Sequence, residues 1–500
     1  MLRGVLTIGL LLLTAGVCPP SSAQERPTGP FDRAILEARA ADLAKRRHVP
    51  PMRPEASDRE RLTYDQYRAI RFKREASIWA RENRSFSLDL FYPGFIFDTP
   101  VNVNLVVGKV SRRVLFTNEV FDYGPEVPVI EARDGLGYSG FRVRAPINRP
   151  DYADEFLVFQ GASYFRAVAR GQLYGISARG LAVRTARPEG EEFPAFTDFW
   201  IERPAKGAGQ IVIHALLQSR SVVGAYTFTA RPGEETVIDA DVTLFPRVDI
   251  EAFGIAPLTS MFLFDATNRA RFDDYRNAVH DSDGLLILNG RNERLWRPIA
   301  NPRTLQVSSF LDDGPKGFGL MQRKRRFGDF EDAEAQYDRR PSAWIEPKGD
   351  WGPGHVELVE IPTDLEINDN IVAYWQPRRP LAAGKPARFE YRLRFTAEPL
   401  DAALARVVAT RIGQALQSES QRSFVIDFQA TGPVPPDLKL RVSTSAGRVL
   451  APRGQLVPQA GVFRVSFELD PGRAGLAELR AEVLSGGRPW GETWLYRWTR

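Results

Sequence analysis

The sequence predicts an all-β protein: a large antiparallel β-sandwich followed by a small immunoglobulin-like β-sandwich. From Phe86 onward apolar and polar residues alternate, as in Phe86-Ser87-Leu88-Asp89-Leu90-Phe91 and Val101-Asn102-Val103-Asn104-Leu105-Val106-Val107, the period of half-buried strands. Glycine and proline interrupt these runs roughly every ten to fifteen residues. No strand–helix alternation of the kind that builds a parallel sheet occurs. After residue 422 come short alternating runs at 424–428, 439–442, 462–469, 479–484 and 493–498. They are divided by turn sequences such as Asp470-Pro471-Gly472 and Ser485-Gly486-Gly487, a spacing typical of an immunoglobulin-like domain.

Taken in order, residues 1–23 read as a signal peptide, with Arg3, an apolar core at 6–13 and the small residues Ser21-Ser22-Ala23 before the cleavage point. The single cysteine, Cys18, lies inside it, so the mature chain is expected to form no disulfide and to hold no metal through thiolate. Val17 is a poor match to the small residue that precedes a lipidated cysteine. No later stretch approaches the roughly 20 apolar residues of a membrane span, so the exported chain is expected not to be membrane-inserted. Helices are expected at 32–46 and 64–72. The large sandwich is assigned to 24–398, a linker with a helical turn to the Ala-rich stretch 399–421, and the immunoglobulin-like domain to 422–500.

Apolar residues make up 43% of the chain and charged residues 26%, with a formal net charge of +5. That balance is too mild for a nucleic-acid partner. The basic cluster Arg323-Lys324-Arg325-Arg326, flanked by Phe327 and Phe330, is expected to be a solvated face or the rim of a ligand site.

Chemistry is expected at an acidic stretch between two apolar runs, Asp273-Asp274-Tyr275-Arg276-Asn277-Ala278-Val279-His280-Asp281-Ser282-Asp283-Gly284. Loops on a rigid scaffold are where function concentrates, and Arg276 and His280 beside the carboxylates would hold specific protonation states. The pair Asp281 and Asp283 also opens a possible cation loop, but the EF-hand pattern fails at Leu285. No HExxH, GxSxG or P-loop motif occurs, so no metal or other cofactor is expected. A second strip carries Glu357, Glu360, Asp364, Glu366 and Asp369, the last wedged between Asn368 and Asn370 before an apolar strand. One aspartate from each strip is what glycoside hydrolysis asks for: one protonates the leaving oxygen and the other activates water. Glu357 and Glu360 read as carboxylates solvated at a strand edge. Trp200, Trp296, Trp344, Trp351 and Trp375, with Phe199, Tyr337 and Tyr374, crowd the same region. Singly they read as core; as a set among Arg, Asp and Asn they point to a carbohydrate groove, because sugar faces stack on aromatic rings.

Several long motifs resemble the periplasmic glucan biosynthesis protein G and D family, the MdoG/OpgG type. They are Gln160-Gly161-Ala162-Ser163-Tyr164-Phe165-Arg166-Ala167, Tyr174-Gly175-Ile176-Ser177-Ala178-Arg179-Gly180-Leu181, Glu191-Glu192-Phe193-Pro194, Gly254-Ile255-Ala256-Pro257-Leu258-Thr259-Ser260-Met261, His280-Asp281-Ser282-Asp283-Gly284, Gly317-Phe318-Gly319-Leu320-Met321-Gln322, Arg340-Pro341-Ser342-Ala343-Trp344 and Asn368-Asp369-Asn370-Ile371-Val372. The resemblance covers nearly the whole mature chain, and the single-arginine signal resembles the G branch. It implies a periplasmic role in making osmoregulated glucans with a β-1,2-linked glucose backbone, and an inverting β-1,2-glucanase activity found among members. Carried over by motif, the general acid is Asp369 and the general base Asp281, with Tyr337 contacting substrate near the acid. Asn277-Ala278, Ala333, Tyr92 and Gln218 depart from the usual pattern, which leaves subsites and chain-length preference open. A non-catalytic glucan-binding scaffold that docks to a membrane glucan synthase is the alternative. Inversion expects the two carboxyls about 6.5 to 9.5 Å apart or farther. Asp369 is expected to be buried near Tyr374 and Trp375 with a raised pKa, and Asp281 to titrate normally. His280, Asp283, Arg276, Trp344, Trp375 and Tyr374 complete the expected substrate contacts.

Overall fold

The computed structural model describes residues 24–51, 62–127, 137–397 and 404–500; the signal peptide read at 1–23, with Cys18, lies outside them. The architecture is all-β. A sixteen-stranded sheet faces a ten-stranded sheet, and the residues between them form one continuous core. Strand alternation explains the packing. In Ile211–Gln218, Ile213, Ala215 and Leu217 point into that core, while Leu216 on the other face is covered by the helix Arg33–Ala44 together with Trp200 and Val223. In Thr236–Pro246 and Ala387–Thr396 the inward residues are Ile238, Val242, Leu393 and Phe395. The outward ones form ion pairs across the strands, Arg392 to Asp239 at 2.8 Å and Arg388 to Asp241 at 2.9 Å. One face is therefore apolar and the other charged, as an antiparallel sheet with one solvated side requires.

Both expected helices form, each with a side-chain cap. Asp32 accepts from the backbone N–H of Ile35 at 2.9 Å. Thr63 and Gln66 cap the second helix reciprocally. That helix, Tyr64–Ala69, stops short of the expected residue 72 because Arg71–Phe72 pairs instead with Phe121–Asp122. Among the described residues no helix is long and apolar enough to cross a membrane.

The stretch read as a linker with a helical turn is different in its described part. Arg406–Ala415 and Ser418–Gln429 are the two strands of a hairpin. Burial of Val407 against the aromatic core of Phe424, Phe428 and Phe463 overrides the weak helical preference of an Ala-rich run. The small sandwich thus begins at about residue 405 and not at 422. Its second sheet is continuous with the main sheet: Arg294–Pro298 pairs in parallel with Thr493–Thr499 through Leu295–Thr493 and Trp296–Trp494.

Leu286, Trp296, Met321 and Trp344, on the outer face of the large sandwich, are covered by the small one and share its apolar cluster. The basic cluster belongs to this joint and its surroundings. Arg323 binds the buried Glu492 in bidentate fashion at 2.8 and 2.7 Å, donates to the Val407 carbonyl at 2.6 Å, and lies 3.5 Å from the centre of the Trp296 ring. Arg325 donates to backbone carbonyls of Asp338 and Arg340. Lys324 is bound to buried carboxylates described below, and Arg326 to Asp329. The expectation of a solvated face or ligand rim is overturned, because three of the four cations have buried or backbone partners. Replacing Arg323 by Met keeps the stem but strands Glu492, and should lower the unfolding free energy by about 3 kcal/mol or more. Denaturant titration of the two proteins checks this; an unchanged midpoint would show that the joint does not depend on the pair.

Candidate active site

Three loops converge at one end of the large sandwich: 265–283, 322–341 and 361–370. Arg276 ties them together. It binds Asp274 at 2.8 Å in its own loop, Asp332 at 2.8 Å in the second and Glu366 at 2.9 Å in the third. These carboxylates push its guanidinium pKa above the ordinary arginine value, with Asp274 the largest contributor. Tyr337 is buried beside this knot, donates to Glu366 at 3.3 Å and is covered by the Arg340 guanidinium 4.1 Å from its ring centre.

The aspartates of the acidic stretch part company. Asp281 is buried and paired with Arg340. Asp283 is buried and bound by Lys324 and by the backbone N–H groups of Arg323 and Lys324. Two positions along the chain, the side chains answer to different cations from the same neighbouring loop. Burial raises the pKa of Asp281 above the usual carboxylate range; Arg340 opposes this, and the carboxylate of Asp369 adds to it. For Asp283 burial also acts upward but loses to Lys324, His280 and the backbone donors, so its pKa is lowered. Asp283 is therefore committed to Lys324, which also lies 3.5 Å from Asp265.

Asp369 stands where the sequence put it in the chain but not in the environment expected. Its side chain is 31% exposed and paired with Arg166 at 3.1 Å. The burial expected at Asp369 is found at Asp281 instead: Asp281 is the buried carboxyl, with the raised pKa, and Asp369 faces solvent. Asp369 and Arg166 line a cavity of about 580 Å³ with Tyr164, Phe97, Gln160 and Glu155. A second hollow of about 550 Å³ shares Phe97, Gln160 and Tyr164 and continues the cleft to Glu191, Phe193 and Arg220. Asp281 does not line either hollow, yet Asp369 and Arg166 are close enough to bear on its titration. Gly175 lets the neighbouring loop close on this site, since a Cβ there would fall 2.9 Å from the Cβ of Arg340.

The tryptophans do not line the cleft. Trp375 points into the sandwich core, and Trp344 into the joint with the small domain. Tyr374, on the opposite face of the same strand as Trp375, packs with Val359 and Val372 and donates to Glu357 at 2.5 Å. Gly254 leaves room for its ring; a Cβ there would stand 2.3 Å from Tyr374 Cδ2. Glu357 and Glu360 are buried too, not solvated at an edge: Glu360 is bound by Arg297 at 3.0 Å. The aromatic residues lining the cleft include Phe91, Phe97, Tyr164, the expected Phe199 and the exposed Phe193, with Arg179 lying 5.2 Å from the ring centres of both Tyr164 and Phe193. Arg166 and Arg340 are not among the residues expected from sequence to form the site, and Lys324 is expected only as part of the basic cluster read as a solvated face or the rim of a ligand site. Arg166 and Arg340 sit inside motifs that carry the resemblance, Arg166 between Phe165 and Ala167 and Arg340 between Arg339 and Pro341.

His280 is fully buried between Phe262, stacked at 5.2 Å, and the edge of Phe330 at 5.0 Å. Burial, reinforced by Lys324, pushes its pKa down to about 4. The ring is thus neutral in the folded chain, while the unfolded chain takes up a proton near the ordinary value of 6.5. Stability from this group is fully present above about pH 6.5 and is lost as pH falls toward 4, about 3 kcal/mol in all. Denaturation midpoints measured between pH 7 and 4.5 should fall steeply for the native protein and less steeply for His280→Gln, whose side chain does not titrate. Equal slopes would show that His280 is not the group responsible.

The sequence matches the family described as periplasmic glucan biosynthesis protein, MdoG, over residues 31–498. A protein named glucans biosynthesis protein G from Shewanella frigidimarina is 49% identical over 476 residues, 94% of this chain and 85% of that one. The protein of the same name from Vibrio cholerae is 48% identical over 477 residues, 94% of this chain and 87% of that one. One from Shewanella oneidensis, glucans biosynthesis protein G 1, is 46% identical over 478 residues, 94% of this chain and 88% of that one. With a match this long, and with Asp281, Tyr337, Arg340 and Asp369 gathered at one end of the sandwich, the chain belongs to the MdoG family of periplasmic glucan biosynthesis proteins.

Proposed function

We propose that this chain acts in the periplasm on the β-1,2-linked glucan backbone during glucan biosynthesis, as an inverting β-1,2-glucanase. The observation that carries the reading is the pair of carboxyls from separate loops, Asp369 on the cleft wall and Asp281 buried behind it, each in the other's field and neither bonded to the other. Asp369 is the general acid. For it to protonate a leaving oxygen, a sugar hydroxyl or the glycosidic oxygen takes the place of the Arg166 guanidinium beside Oδ2. Asp281 is the general base. Arg340 opposes the effect of burial and so favours the ionised form that a base needs. Because Asp281 is absent from the cleft lining, it draws the proton from water through an intervening hydroxyl. Phe97, Tyr164 and Phe193 offer faces on which glucose rings stack, while Tyr337 and Arg276 hold the loop of the acid.

The alternative, a glucan-binding scaffold without turnover that docks to a membrane glucan synthase, draws on one observation: both aspartates are ion-paired. Incubating purified protein with linear β-1,2-glucan and measuring new reducing ends decides between them. Slow release of reducing ends is expected; unchanged polymer length with measurable binding would establish the scaffold.

Asp369→Asn and Asp281→Asn should each lower turnover roughly 10² to 10⁴-fold and leave glucan binding within a few-fold. Asp283→Asn separates structure from chemistry. It leaves the half-buried Lys324 with Asp265 as its only carboxylate partner, so the expected loss is of stability, on the order of 3 kcal/mol, with turnover per folded molecule retained. If Asp283→Asn abolishes turnover in a fully stable protein and Asp281→Asn does not, the base has been assigned to the wrong residue.

A further inference from the structure

A third hollow adjoins the cleft. Its volume is about 400 Å³, and Phe91 and Gln160 line both it and the Asp369 cavity. Arg68, Arg71, Arg142 and Arg144 line it above an aromatic floor that includes Phe72 and Phe121. No aspartate or glutamate is among its lining residues. Four guanidinium groups around so small a space repel one another unless something compensates them.

Part of that compensation is built in. Arg142 and Arg144 both donate through Nε to the buried Asp89, at 2.8 and 2.6 Å, and Arg142 donates through Nη1 to Glu155 at 2.7 Å. Ser77 donates to the other oxygen of Asp89 at 2.5 Å. Two cations are thereby fixed in place by two carboxylates. Arg68 and Arg71 are exposed, on the helix Tyr64–Ala69 and the strand Arg71–Phe72, with no ion pair among the described residues. Asp122, the cross-strand neighbour of Arg71, is directed to Lys73 at 4.0 Å. Four guanidinium groups against two carboxylates leave two positive charges in excess.

We propose that this hollow binds a small oxyanion, a phosphate or carboxylate group, beside the candidate active site. The planar fork of arginine matches such groups in bidentate geometry, and the apolar floor strengthens the attraction by lowering the local dielectric. Arg142 and Arg144, held from behind, give the anion a rigid seat; Arg68 and Arg71, exposed and without an ion pair among the described residues, close on it from the rim. Glu155 joins the two spaces, since it lines the Asp369 cavity and binds Arg142. The oxyanion has two possible sources, a substituent carried by a sugar polymer lying in the cleft or a free anion. Only the first source rests on the glucan reading; the site itself does not.

Isothermal titration of the full mature chain with inorganic phosphate tests the site. Binding that weakens with added salt is expected, and the double variant Arg68→Gln, Arg71→Gln should weaken it about tenfold or more. These residues are exposed and outside the catalytic pair, so hydrolysis of neutral linear β-1,2-glucan should be unchanged in the variant. A β-1,2-glucooligosaccharide with and without one phosphate ester then identifies the source. Tighter binding of the ester to native protein, lost in the variant, assigns a polymer substituent; equal binding of both assigns a free anion. No phosphate binding, or binding equal in native protein and variant, overturns the proposal. Failure of the hydrolase reading would appear separately, as no reducing ends from either glucan.

Discussion

The constraint on which this structure depends is that, among the described residues, no carboxylate is buried without a cation. Asp281 has Arg340, Asp283 has Lys324, Glu360 has Arg297 and Glu492 has Arg323. Removing water from an ionised carboxyl is expensive, and only close, well-bonded partners offset that cost. Three of the four cations are drawn from one segment, 322–341, so that segment has little freedom in where it can lie. It is held against the acidic loop on one side and the small sandwich on the other. The joint between the domains and the candidate active site are consequently parts of a single electrostatic arrangement, and Arg323 and Lys324, adjacent in sequence, serve one each.

Arg276 performs the corresponding task at the mouth of the site. A cation with three carboxylate partners from three loops fixes their relative positions more firmly than separate pairs would, since displacing any loop leaves an imbalance in the other two. The loop bearing Asp369 is otherwise rich in exposed residues, among them Leu365 and Ile367. Its position relative to Asp281 is set by Glu366, three residues away from the aspartate, through Arg276 and Tyr337, and by the buried Asn370 beside the aspartate, whose amide pairs with the backbone of Phe262.

Much of this fold is legible in the sequence because period-two alternation is a local property, visible in stretches such as 211–218 and 236–244 without knowledge of partners. The two carboxylate strips were legible for the same reason: polar residues at strand ends stand out against apolar runs. What was not legible depended on pairing at a distance. The basic cluster 323–326 reads as solvated until Glu492, 169 residues away, is seen beside Arg323. Trp344 and Trp375 look alike in sequence, yet one is covered by a second domain and the other by the opposite sheet. The hairpin at 406–429 is not legible because its first strand is only half buried and follows an Ala-rich run, so that packing, not propensity, decides its conformation. Asp369 seemed set for burial by the apolar strand that follows it, but it belongs to the loop before that strand, where Arg166 meets it.

Arg166 and Asp369 are separated by 203 positions in the chain, and Arg276 and Asp332 by 56. Contacts of such long range require that most of the sheet pairing already be in place, because each closes a large loop at an entropic cost. The cleft and its two carboxyls are therefore a late product of folding. A chain that has formed only its local hairpins presents the right residues in no useful arrangement. The candidate site thus takes shape only once the sandwich has closed.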